Sequence, residues 1–256
     1  MPLPSLAGNQ YEQSIRRKLK TVYPNIPLTA GFGSGPDLTI PAAQQSNLGQ
    51  TLKVEIKTTT GSDFGQRSIT FQGSSWIQKS NAKDNPRHIS LYNYLFNTFN
   101  LSNKIQSAWS LPDNTITAKD LQILVETNQI NEVLYYEKLY QKATKQRNPF
   151  PQVTLLSGKT VLDAITTFYN SKGVYYIQIK GSGFYILGDD AKNLNSLLGI
   201  RIPTFNPSNA KLVLRGKPSI SGRTYRPVLA FKSSSVAPSA YKLDSSSFIS
   251  LLHSKF

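Results

Sequence analysis

The segment Leu52–Lys57, LKVEIK, alternates strictly between apolar and charged residues. A strand sends successive side chains to opposite faces, so Leu52, Val54 and Ile56 fall on one side of a sheet and Lys53, Glu55 and Lys57 on the other. The run therefore predicts a half-buried strand whose polar face carries a carboxylate and an ammonium two residues apart. Upstream, the glycine-rich GFGSG and Pro36 lead into a second apolar run, Asp37–Ile40, with an acid at its mouth. The whole stretch from Gly31 to Gly61 reads as a hairpin that brings two carboxylates and one ammonium to one side. That is the minimum equipment for holding a hard divalent cation and activating a water beside it.

GFGSG precedes a strand, whereas a dinucleotide fingerprint needs a strand, a glycine turn and then a helix, so that reading is set aside. The chain has no cysteine and two histidines, His88 and His253, which excludes disulfide scaffolds, thiolate nucleophiles and zinc sites built on Cys. A catalytic metal would rest on carboxylate and carbonyl oxygens, favouring Mg²⁺ or Mn²⁺. The formal charge is +15, with 29 Lys and Arg against 14 acids. Such an excess points to a polyanion partner, because each Lys or Arg facing a phosphate releases a counterion on binding. The apolar runs are far shorter than a membrane span, and MPLPSLAGNQ lacks the pattern of a signal peptide. The expectation is a soluble cytoplasmic protein with no membrane association.

In chain order, Asn9–Val22 predicts a helix, with Asn9 as N-cap and Tyr11, Ile15, Leu19 and Val22 on one face. Glu12 borders that stripe, where it either leans into the site or pairs with Arg16 one turn on. A third alternating run spans Arg67–Gln72. Helix, strand, strand and strand in this order suggest a small mixed sheet backed by the first helix. From about Trp76 to Arg147 the spacing turns helical, through Leu91, Leu95 and Phe99, then Leu121, Leu124 and Val125, then Ile130, Val133, Leu134 and Tyr140.

Two prolines in Gln146–Pro151 mark the expected boundary between a domain over residues 1–148 and a basic region over 149–256. In the latter, Thr160–Asn170 reads as a short helix closed by Gly173, and VYYIQIKGSGFYILG as a hairpin. From Arg201 onward the chain carries nine Lys or Arg against one acid, Asp244. Two strand-like runs there flank a polar loop, and Lys211, Arg215, Lys217, Arg223 and Arg226 are the candidate DNA-binding residues. Asp244 is expected to cap a final helix.

Pro36-Asp37 followed by Glu55-Ile56-Lys57 resembles the PD-(D/E)XK signature of the restriction-endonuclease-like nuclease superfamily. The resemblance takes in Glu12 on the upstream helix and Gln72 on the following strand, and covers roughly the first third of the chain. It implies an α/β fold with a restriction-endonuclease-like core, a mixed sheet flanked by helices, here with a helical insertion and a β-rich basic C-terminal region. It further implies that Asp37, Glu55 and the backbone carbonyl of Ile56 ligate Mg²⁺, with Mn²⁺ able to substitute. Lys57 would orient and help deprotonate the attacking water, Glu12 would support the metal or its water shell, and Gln72 would orient the same water. The implied activity is site-specific cleavage of double-stranded DNA, of the type II restriction kind, by a homodimer. The alternatives are a homing, phage or repair nuclease or junction resolvase of the same superfamily, and a non-catalytic DNA-binding protein.

Overall fold

The computed structural model describes residues 4–26, 36–41, 51–72, 75–82, 84–108, 152–218 and 225–256. In chain order the elements are α1 (Pro4–Lys20), β1 (Leu38–Pro41), β2 (Thr51–Lys57), β3 (Gln66–Gln72), β4 (Ser75–Gln78), α2 (Pro86–Phe99) and α3 (Leu101–Ala108). They continue with β5 (Val153–Ser157), α4 (Lys159–Asn170), β6 (Tyr176–Ile179), β7 (Gly183–Ile186), α5 (Leu194–Leu198), β8 (Ala210–Pro218), β9 (Tyr225–Ser233) and α6 (Ser246–Lys255). The result is an α/β protein with one mixed sheet and a second sheet whose registered pairs are antiparallel. No described helix is long and apolar enough to cross a membrane.

Packing divides the chain into two units that interleave along the sequence. The first comprises residues 1–62, 162–209 and 233–256, and the second residues 63–161 and 210–232. The boundary expected at Gln146–Pro151 and the helical stripes from Leu121 to Tyr140 lie outside the described residues.

The first unit is built on a four-stranded sheet in the order β1-β2-β6-β7. β1 runs antiparallel to β2, β2 parallel to β6, and β6 antiparallel to β7. The apolar trio Leu52, Val54 and Ile56 is buried with Tyr11, Ile15 and Leu19 of α1, Leu194 and Leu198 of α5, and Phe248 and Leu252 of α6. The alternation in LKVEIK thus does what period two dictates, sending one set of side chains into a core and leaving the other for the opposite face. α1 starts earlier than Asn9, because Pro4 suits a first helical turn, where its missing N–H costs nothing. Asn9 therefore lies inside the helix. α6 begins after Ser245, not Asp244. Asp244 instead accepts a hydrogen bond from the Tyr11 hydroxyl at 3.2 Å.

β3 does not extend this sheet. The neighbour of β2 is β6, drawn from the later hairpin, whose four-residue strands are buried throughout and so suit the sheet's interior. Gly183 opens β7 at φ 124°, where a Cβ would stand 2.7 Å from that of Ser239, so only glycine fits.

The second unit carries the sheet β4-β3-β9-β8-β5. The helical reading begins too early at Trp76. Ser75–Gln78 alternates exposed and buried residues as a strand, and Trp76 donates its indole N–H to Gln106 of α3 at 3.2 Å. The helix expected around Leu91 and Leu95 is α2, with Asn85 as N-cap and Pro86 in its first turn. Tyr92 of α2 stacks on Phe231 of β9, ring centroids 5.6 Å apart.

One buried polar side chain joins three elements of the first unit. Gln178 of β6 is fully buried, donating to the Tyr11 hydroxyl at 3.1 Å and accepting the Leu243 N–H at 2.9 Å. Substituting Gln178→Leu strands that N–H, and the expected loss is about 2 kcal/mol, read as a lower denaturant midpoint at unchanged slope. An unchanged midpoint would contradict this account of the buried network.

Candidate active site

The site follows from where β1 stops. Leu38 pairs with Val54, so one step further the register sets Asp37 level with Glu55. Directly opposed residues of an antiparallel pair project to the same face. Ladder pairing begins only at Leu38, and the Ile56 N–H on that edge is taken by the Asp37 side chain, whose Oδ2 accepts it at 2.8 Å. Within a strand the N–H and C=O of one residue face the same neighbour. The Ile56 carbonyl therefore looks toward Asp37 as well, while the next carbonyl, that of Lys57, turns the other way and accepts the Lys180 N–H at 2.8 Å.

Glu55 is buried. Its Oε1 accepts the Lys57 ammonium at 2.6 Å and the Tyr169 hydroxyl of α4 at 3.2 Å. α4 thus lies over the face that LKVEIK turns away from the core, covering the acid with an aromatic ring. The Lys57 Nζ is 5.9 Å from the Tyr169 ring centroid. A second ammonium, that of Lys172, is 5.6 Å from the same ring and 4.5 Å from Phe168. Each ring face attracts the cation beside it, adding to the Glu55 carboxylate in the case of Lys57.

From α1, the Arg16 guanidinium donates twice to Glu12 Oε1, at 2.9 Å from Nε and 2.7 Å from Nη2, and also to the backbone carbonyl of Asp37. Both side chains are buried. Glu12 and Arg16 form the pair that their spacing predicts, and Arg16 extends it to the entry of β1.

The electrostatics set Asp37 apart. Burial pushes its carboxyl up to about 7, and the Glu55 charge adds to the shift, against the opposing pull of Lys57 and of the Ile56 N–H. Burial likewise lowers the Lys172 ammonium below its ordinary value, while Glu55 and Asp37 resist that change and Lys57 adds to it. Two carboxylates forced together in partly dry surroundings make a place where a cation relieves repulsion. Among the described residues no group of three or more His, Cys, Asp or Glu is arranged for a metal. The donors present are two carboxylates and a main-chain carbonyl. That set fits Mg²⁺, which commonly takes one or two carboxylates and keeps several of its waters.

Of the residues expected at the site, the structure brings together Asp37, Glu55, Ile56 and Lys57, with Glu12 joined through Arg16. Gln72 belongs to the second unit, opposite Ser75 in the β3–β4 pair. Lys211 is half-buried in β8, opposite Ser157. Arg215 is engaged by Asp63, which Lys232 also approaches at 2.8 Å. The side chains of Lys217 and Arg226, and all of Arg223, lie outside the described residues. Tyr169 and Lys172 are the site residues that the local pattern does not reveal, and the reach of Arg16 to the Asp37 carbonyl is the contact it does not reveal. Scans against protein-family models, curated proteins and solved structures give no match to this chain.

The raised Asp37 value has a sign. An acid whose folded-state value exceeds its unfolded one favours folding while protonated, so stability falls as pH rises from about 4 through about 7. In metal-free buffer Asp37→Asn should match the wild type near pH 4 and exceed it at pH 8, by on the order of 1–3 kcal/mol. Adding Mg²⁺ at pH 8 should raise the melting temperature of the wild type but not of the variant. Parallel pH profiles for the two proteins would refute the assignment.

Proposed function

We propose that the protein is a Mg²⁺-dependent endonuclease that hydrolyses phosphodiester bonds of double-stranded DNA at specific sites. The observation that carries this reading is the placement of Asp37 and Glu55 at one register step on one sheet face, with Lys57 bonded to Glu55. The order of elements supports a restriction-endonuclease-like core in the first unit: a helix, a hairpin bearing the acids, then α4 and a strand, β6, parallel to β2. The charge of +15 supports a nucleic-acid substrate.

Asp37, Glu55 and the Ile56 carbonyl would hold Mg²⁺, which when bound supplies positive charge at the scissile phosphate and makes water a stronger nucleophile, Mn²⁺ substituting. Lys57 orients the attacking water through its ammonium and offsets negative charge as the phosphorus becomes five-coordinate. Tyr169 keeps Glu55 in place by its hydroxyl. Lys172 adds a second positive charge on the same side of the sheet, suited to a phosphate oxygen next to the scissile one. Arg16 holds the backbone of Asp37, and Glu12 holds Arg16.

Cutting both strands of a symmetric target is met most simply by a two-fold homodimer, each copy presenting one such site. The second unit, with its basic strands β8 and β9, is the part suited to contact the duplex beyond the cut. The cytoplasm, where cellular or invading DNA is met, is the compartment this reading assigns.

The test incubates the protein with a long duplex of known sequence, in Mg²⁺ and in EDTA, beside Lys57→Ala. Discrete fragments are expected with metal only, and the variant, assayed below its own melting transition because buried Glu55 loses its partner, should lose about 10²- to 10⁴-fold in rate. Lys172→Met should lose rate more modestly, about tenfold, through weaker phosphate contact. DNA binding with no cutting of any of several unrelated duplexes, Mn²⁺ included, would replace this reading with that of a non-catalytic DNA-binding protein.

A further inference from the structure

We propose that a polar hollow on the second unit binds one phosphate group of a nucleic-acid backbone. The hollow, about 340 Å³ in volume, is bounded by β3 at Arg67 and Ser68, by Lys79, Asn81 and Asp84 after β4, and by Pro227 of β9. It is separate in the sequence from the acids of the first unit. Its anchor is Arg67, whose side chain is only 10% exposed. One edge of the guanidinium is fixed, because Nη2 donates to Asp84 Oδ2 at 3.0 Å, and that oxygen also accepts the Asn81 N–H at 2.6 Å. The Nε–H is buried and has no hydrogen-bond partner among the described residues. A desolvated donor of this kind calls for an acceptor, and the surroundings say which.

Lys79 is exposed at the rim, and Ser68 and Asn81 add neutral hydrogen-bonding groups. Among the described lining residues Arg67 and Lys79 outweigh the one carboxylate, that of Asp84. The carboxylate is already committed to the Asn81 N–H and to Arg67, and these hold its carboxyl below the usual carboxylate range. An ionised Asp84 orients the guanidinium and leaves a net positive wall. A phosphate matches it, set against the charge of the anchored guanidinium and the point charge of a lysine at the rim. The volume exceeds that of one phosphate and admits the adjoining sugar, as a backbone would require. On a chain of charge +15 a polyanion is the natural source.

The competing occupant is water. Among the described residues the Tyr92 hydroxyl is also buried without a partner, and it feels the charge of Arg67, so one ordered water could serve both groups. The experiment separates the two. The Arg67 Nε–H is followed in a ¹⁵N-correlated spectrum of the full chain in EDTA while a short duplex is added, the resonance being assigned by its absence in Arg67→Lys. A shift that saturates with duplex binding is expected. Lys79→Ala should reduce the slope of log K against log salt by about one, with thermal stability unchanged. Inorganic phosphate is the second probe. A shift with phosphate alone assigns recognition to the phosphate group itself, and a shift with duplex only assigns it to phosphate within its backbone. A resonance that stays fixed while duplex binds, with an unaltered slope in Lys79→Ala, means an ordered water only and overturns the proposal. The readings use neither metal nor cleavage, so a protein that binds but does not cut leaves this site standing.

Discussion

The first unit depends on the point at which main-chain pairing between β1 and β2 gives way to side-chain pairing. Had β1 continued its ladder back to Pro36, whose register partner is Ile56, a main-chain carbonyl would take the Ile56 N–H and Asp37 would be one acid among others on a strand. With pairing begun at Leu38, the carboxylate completes the hydrogen bonding of the neighbouring strand. Its position is then dictated by backbone geometry and not by side-chain freedom. The Arg16 guanidinium on the Asp37 carbonyl holds the same residue from the helix side. A group fixed from two directions loses little entropy if it meets a ligand.

Charge is handled differently at three other acids. Glu12, Asp63 and Asp84 each face an arginine in a direct ion pair. Asp37 faces a backbone N–H and another acid, and Glu55 faces a lysine whose other flank is the Tyr169 ring. A guanidinium clamps a carboxylate in a rigid fork, whereas a lysine on a flexible stem releases it more readily. On the proposed function, the choice of lysine and backbone at this place keeps both carboxylates available to a stronger cation.

Much of this was legible in the sequence because it is local. Alternation in LKVEIK identifies β2 and the shared face of Glu55 and Lys57, and the four-residue spacing of Tyr11, Ile15 and Leu19 identifies the buried face of α1. The pairing of Glu12 with Arg16 follows from a single helical turn. What was not legible is non-local. Nothing in the spacing of Arg67–Gln72 says that this run leaves the sheet of β2 for another, and nothing in Tyr176–Ile179 says that it takes the vacated edge. Tyr169 and Lys172 reach the site only because α4 crosses over that sheet, a consequence of the β2–β6 pairing. The Asp244 cap failed for a related reason, since a partner distant in the chain, Tyr11, claims that carboxylate.

The parallel pair β2–β6 joins Val54 to Tyr176, and the stretch from Asp63 to Val161 between them belongs to the other unit. During synthesis the hairpin that carries the acids emerges early, yet its second edge stays bare until the ribosome has delivered α4 and β6. Pairings so far apart in sequence form late and slowly. The second unit is itself closed by β8 and β9, which follow β7 in the chain. Each unit therefore waits for a segment that lies beyond part of the other, and the two complete their folding in alternation. A nascent chain of this design carries its acids without the finished sheet around them for nearly half of its synthesis.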